Sequence, residues 1–120
     1  TLRIIADQRG CPTAAHEIAD AIGHVVTMIL DGSAPWGTYH FCGAGATTWY
    51  DFAVEIFARS ARHGGPQPKL HRIRTEEYPT PAQRPKNSVL DCALAKERLG
   101  LVARPWQQSL SFVLEQMFAA

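Results

Sequence analysis

The chain has 120 residues, 46% of them apolar and 19% charged, with 12 Lys or Arg against 11 Asp or Glu. That length suits one domain burying roughly two-thirds of its unfolded surface, and the apolar share is too high for a disordered segment. No apolar run reaches the ~18 residues that span a bilayer, and no basic-then-apolar leader is visible. The chain starts on Thr1, already in a strand-like stretch, which predicts a fragment or a processed chain.

Leu2 to Ala6 reads as a short, largely buried β-strand. The turn Asp7-Gln8-Arg9-Gly10-Cys11-Pro12 follows, and Thr13 is placed to cap a helix over 14–30 with its hydroxyl. Ile18, Ala21, Ile22, Val25 and Ile29 share one face of that helix, the face expected to pack inward. Residues 37–42 read as a second strand, and Gly43-Ala44-Gly45-Ala46 as a loop. Thr48, with Asp51 three residues on, fits a capping-box spacing for a helix over 49–63. Gly64-Gly65-Pro66 ends that helix, and Lys69 to Arg74 reads as a third strand.

Pro79, Pro81 and Pro85 forbid regular structure across 75–90. Asp91 can cap a short helix ending at Gly100, with Leu101 making the apolar contact of a C-terminal cap. Pro105 suits the first turn of a last helix with one apolar face: Trp106, Leu110, Val113, Leu114, Met117 and Phe118. The sum is an α+β domain of three strands and four helices over residues 1–120, with no repeat and no internal boundary.

The charge is uneven. Residues 1–58 carry two basic and six acidic groups, whereas 59–104 carry ten basic and four acidic groups. Nine of the twelve cations are Arg, whose planar fork suits phosphate or carboxylate, so an anionic ligand is expected in the second half. A nucleic-acid module would be more basic, with interleaved aromatics. Cys11, Cys42 and Cys92 make an odd count, lie no closer than 31 residues apart and sit in no C-x-x-C setting, which argues against a disulfide framework or zinc cluster. They are expected to be small buried apolar residues in a reducing cytoplasm.

Several chemistries fail on their spacing. Gly43-Ala44-Gly45 resembles the opening of a dinucleotide fingerprint, but Thr48 stands at the third glycine and no acid follows at the required distance. There is no Gly-x-Ser-x-Gly, no Tyr-x-x-x-Lys, and no histidine pair at metal-binding spacing. Two segments remain. The 7–13 turn offers Gln8 and free backbone N–H groups to a ligand. The 78–90 stretch is a proline-stiffened loop in which Arg84 can grip a phosphate at two points, with Asn87 and Ser88 adding hydrogen bonds.

Asp7-Gln8-x-Gly10-x-Pro12-Thr13, then Gly37-x-Tyr39-His40, Trp49-x-x-Phe52-Ala53, and Tyr78-Pro79-Thr80-Pro81-Ala82-x-Arg84-Pro85-x-Asn87-Ser88-x-Leu90 occur in this order. The set resembles the C-terminal part of the dTDP-4-dehydrorhamnose reductases, a family of extended short-chain dehydrogenase/reductases. The resemblance implies a small substrate-binding domain without the Rossmann core, the cofactor site or the catalytic Tyr/Lys pair. The whole enzyme would be cytoplasmic and reduce dTDP-4-dehydro-L-rhamnose with NADPH or NADH, for surface polysaccharide synthesis; these residues alone would be inactive. By position, Arg84 would meet the diphosphate, with Asn87 and Ser88 beside it and Gln8 and Thr13 supporting. Some relatives dimerise through magnesium held by glutamates. Here Glu115 is the nearby acid and Gln116 takes the matching place, so no metal ligand is assigned. The alternative is a non-catalytic regulatory subunit on the same scaffold, as in methionine adenosyltransferase. The fragment reading implies an exposed apolar patch where the rest of the enzyme packs, so a homodimer or a self-associating chain is expected.

Overall fold

A computed structural model describes residues 1–120. In chain order the elements are β1 (Leu2–Ile5), β2 (Arg9–Gly10), α1 (Ala15–Leu30), β3 (Thr47–Thr48), α2 (Trp49–Ser60), β4 (Leu70–Ile73), α3 (Ala93–Leu99) and α4 (Trp106–Ala119). Single 3-10 turns follow α2 at Ala61–His63 and β4 at Thr75–Glu77. β1 pairs with β4 in parallel, Leu2 opposite Leu70 and Ile5 opposite Ile73, so the chain between them is one long crossover. β2 and β3 form a second, antiparallel pair of two residues each.

The core lies between α2 and α4. Trp106, Leu110 and Leu114 are buried there, with Phe52 and Ile56 of α2 packed on them. Polar bonds brace the same seam: Arg59 donates to the Gln107 carbonyl and the Ser111 hydroxyl while pairing with Glu55. α1 joins α4 through a buried contact in which the Ser109 hydroxyl donates to Glu17 at 2.8 Å. α3 ends as its sequence implies, with Gly100 left-handed at φ +66° and the Leu101 N–H reaching back to Ala95.

Six expectations are corrected. Residues 37–42 form no strand, because their backbone makes no ladder bonds; Ala44 is pinned by single bonds to Arg104 and Trp106. Thr13 does not cap α1: the cap position is Ala14, and the Thr13 hydroxyl is spent elsewhere. Pro105 stands just before α4 as its cap residue, and Cys92 precedes α3, although Asp91 still accepts the Ala93 N–H. β1 is half exposed. The apolar face of α1 is uncovered, with Ile18, Ile22 and Ile29 all exposed, and Glu17 is the residue of that helix that goes inward.

The uncovered face is part of a larger surplus. The accessible surface is 8209 Å², against about 6,400 Å² for a monomer of this size. The radius of gyration is 17.0 Å, against about 13.6 Å for a compact domain of 120 residues. Both outer edges of the β1–β4 pair are open. Parallel sheets are ordinarily covered on both faces, and two strands alone are marginal. No helix is long and apolar enough to cross a membrane.

Candidate functional site

Three segments distant in sequence meet at one open cleft of about 310 Å³. The β1–α1 turn supplies Gln8 and Thr13, the β3–α2 junction supplies Thr48, Trp49 and Phe52, and the loop before α3 supplies Ser88. The β2–β3 pairing brings the first two together, Arg9 opposite Thr48. The third is tied on by a short backbone bridge: the Arg9 N–H donates to the Lys86 carbonyl at 2.8 Å, and the Ser88 N–H donates to the Arg9 carbonyl at 2.9 Å.

Each side chain is held. Gln8 is buried and donates to the Thr75 hydroxyl at 3.3 Å. That hydroxyl and the Thr75 N–H both donate to Asp7, at 2.8 and 2.9 Å. These bonds favour the ionised carboxyl and hold Asp7 below the usual carboxylate range, with Lys86 adding a smaller pull. Thr13 is a clasp: its hydroxyl donates to the Cys11 carbonyl at 3.0 Å and accepts the Gly43 N–H at 2.9 Å. Thr48 caps α2 as its sequence implies, accepting the Asp51 N–H at 3.0 Å. The Ser88 hydroxyl donates to the Arg9 carbonyl at 3.1 Å.

Of the five residues singled out from sequence, Gln8, Thr13 and Ser88 line the cleft. Asn87 and Arg84 do not. Asn87 turns back on its own loop, where its carbonyl oxygen accepts the Val89 N–H at 3.2 Å. Arg84 is exposed, two residues before the Lys86 anchor, and its guanidinium pairs with no carboxylate of the chain. The aromatic wall, Trp49 with Phe52, went unassigned in the sequence. Both belong to the Trp49-x-x-Phe52-Ala53 motif that carries the family resemblance, which gave neither of them a binding role.

The three cysteines also converge. Cys42 is buried with its sulfur 3.5 Å from that of Cys92, and Cys11 is near enough to act on it. Burial pushes the Cys42 thiol up to about 12, with the two neighbouring thiols adding to the rise. Cys11 and Cys92 are only half-buried, against the expectation for all three. No group of three or more His, Cys, Asp or Glu is arranged to hold a metal ion, and Glu115 is exposed.

A dinucleotide does not fit the one glycine-rich turn. A Cβ at Gly43 would lie 2.1 Å from the Pro12 carbonyl oxygen, and one at Gly45 would lie 3.3 Å from the Trp106 ring. These glycines serve close packing on the chain itself, and the third glycine of a dinucleotide fingerprint is Thr48 here.

The RmlD substrate binding domain family matches residues 1–119. The dTDP-4-dehydrorhamnose reductase of Escherichia coli K12 is 37% identical over 119 residues, covering 98% of this chain and 40% of that protein. The crystal structure of a dTDP-4-dehydrorhamnose reductase from Clostridium acetobutylicum superposes with a TM-score of 0.81 at 35% identity, over 97% of this chain and 38% of that one. The enzyme from Bacillus anthracis, solved in complex with NADP, gives 0.82 at 26% identity, over 96% and 38%. The chain thus spans about 40% of the length of the curated relatives it matches. The α+β arrangement around the cleft is that of their substrate-binding part, and the chain belongs to the RmlD substrate binding domain family.

Proposed function

We propose that residues 1–120 are the substrate-binding part of a dTDP-4-dehydrorhamnose reductase and hold the dTDP-sugar while its 4-keto group is reduced. The observation that carries this reading is the convergence of Gln8, Thr13 and Ser88 on one cleft, beside a proline-stiffened loop bearing an unpaired Arg84. Arg84 takes the diphosphate, because a guanidinium free of carboxylates can give both ends of its fork to phosphate oxygens. Ser88 and Asn87 lie within four residues of it and supply neutral hydrogen bonds. Trp49 and Phe52 give the ligand a flat apolar wall. The prolines limit the loop before binding, so less order has to be imposed when the ligand arrives.

These residues do not fit a nicotinamide cofactor, so NADPH or NADH belongs to another part of the enzyme. Their own part in the reaction is to bind and orient the sugar. The uncovered α1 face and the open β1–β4 edges are where that other part packs. Expressed alone, residues 1–120 self-associate through this face. Sedimentation velocity checks this, and a clean monomer across a wide concentration range contradicts it. The whole protein works in a reducing cytoplasm as part of polysaccharide synthesis.

The test is steady-state kinetics on the full-length protein, following NAD(P)H consumption with dTDP-4-dehydro-L-rhamnose. Arg84→Ala is expected to weaken substrate binding roughly tenfold to a hundredfold, the worth of a hydrogen bond to a charged group. Unchanged kinetics in the variant would remove Arg84 from the site. No turnover by the parent protein would remove the reductase reading.

A further inference from the structure

We propose that Cys42 and Cys92 form a reversible disulfide under oxidation, which ties the start of α3, just after the Ser88 loop, to the segment held by Thr13 behind the cleft. The two sulfurs are already in contact at 3.5 Å, from positions 50 residues apart in the chain. Closing the bond asks for a shift of about 1.5 Å, within reach of side-chain rotation, toward a sulfur–sulfur distance near 2.05 Å. Neither cysteine lies within a helix or strand: Cys42 is in the irregular 37–44 segment and Cys92 is the residue just before α3. Their surroundings make the bond consequential. Cys42 adjoins Gly43, whose N–H is clasped by Thr13, and Cys92 follows Ser88 by four residues.

The chemistry runs in two steps. Cys92, half-exposed where Cys42 is buried, meets a hydroperoxide first. Its sulfur attacks the peroxide oxygen, the O–O bond breaks, and sulfenic acid forms with release of water or alcohol. The Cys42 sulfur then displaces the sulfenic hydroxyl, which leaves as water with the Cys42 proton. The two sulfurs give up two electrons together, and the peroxide accepts them. A small dithiol reverses the change by thiol–disulfide exchange. Burial keeps Cys42 protonated until that second step, so an isolated buried thiol there would stay inert. Contact with Cys92 is what gives it a reaction. Cys11, the third thiol, stays reduced.

The experiment treats the folded full-length protein with hydrogen peroxide, alkylates the remaining thiols, and digests without reduction before mass spectrometry. Trypsin leaves Cys11 and Cys42 together in Gly10–Arg59, and Cys92 in Asn87–Lys96. A glutamate-specific protease then cuts at Glu17 and separates Cys11 from Cys42. A cross-linked Cys42–Cys92 peptide lighter by two hydrogens, lost on adding dithiothreitol, is expected. Cys11→Ser keeps the cross-link and Cys92→Ser abolishes it, while both variants melt with the reduced parent. Three alkylated cysteines after treatment, over-oxidation of Cys92 without a cross-link, or a Cys11–Cys42 bond would each overturn the proposal.

Discussion

Gly43→Ala is expected to destabilise the fold and close down the cleft together. The added Cβ would stand 2.1 Å from the Pro12 carbonyl oxygen and 3.2 Å from its carbon. Both atoms are backbone, so neither can swing aside as a side chain would. Relief requires parting the 37–44 segment from the β1–α1 turn. That movement breaks the bond from the Gly43 N–H to the Thr13 hydroxyl and so releases Thr13, one of the residues lining the cleft. Overpacking of this kind costs roughly 1–3 kcal/mol, and loss of the bond adds about 1 kcal/mol. Gly23→Ala is the matched control. Gly23 lies inside α1 with nothing within 4 Å of a new Cβ, so alanine there should add roughly 0.5–1 kcal/mol of stability. Denaturant melts of the two variants should move in opposite directions. A Gly43→Ala protein as stable as the parent would mean that the 37–44 segment is not packed against Pro12.

Trp106→Ala should cost still more, roughly 3–5 kcal/mol. Trp106 is buried at the start of α4, meets the Phe52 ring edge-on at 5.5 Å, and roofs Gly45. The size of the loss matters because the core is thin: only eight apolar residues are buried, and three of them form the α2–α4 cluster. Single domains are stable by about 5–15 kcal/mol, so one substitution removes a large share. Phe52 is also a wall of the cleft, which couples the loss to ligand binding. The thermal midpoint and the dTDP affinity should therefore fall together. A variant with a parent-like melt would show that α4 is not held by this ring.

Local signals were legible where local chemistry decides the structure. The Thr48 hydroxyl, the left-handed Gly100 and the Trp106, Leu110 and Leu114 part of the α4 stripe each stand where the sequence implies, whereas Met117 and Phe118 at the end of that stripe are exposed. Pairing was harder to read. Residues 37–42 have strand-like composition, yet a strand needs a neighbour, and the sequence does not say that none arrives. The α1 stripe made the converse error. Ile18, Ile22 and Ile29 have the right period for burial, but nothing in these 120 residues covers them. Within the cleft, motifs located Gln8, Thr13 and Ser88. The role of Thr13 was misread, because a hydroxyl two residues before a helix can clasp a neighbouring segment instead of capping. The cysteine cluster was invisible for a similar reason: positions 11, 42 and 92 are adjacent only after folding.

Titration calorimetry of the full-length protein with dTDP, repeated on Arg84→Ala, tests the central claim most directly. The account predicts saturable one-to-one binding by the parent, weakened roughly tenfold to a hundredfold in the variant. Binding that the variant leaves intact would contradict the assignment of Arg84 to the diphosphate, and no heat from the parent at millimolar dTDP would contradict a nucleotide-sugar site in this cleft.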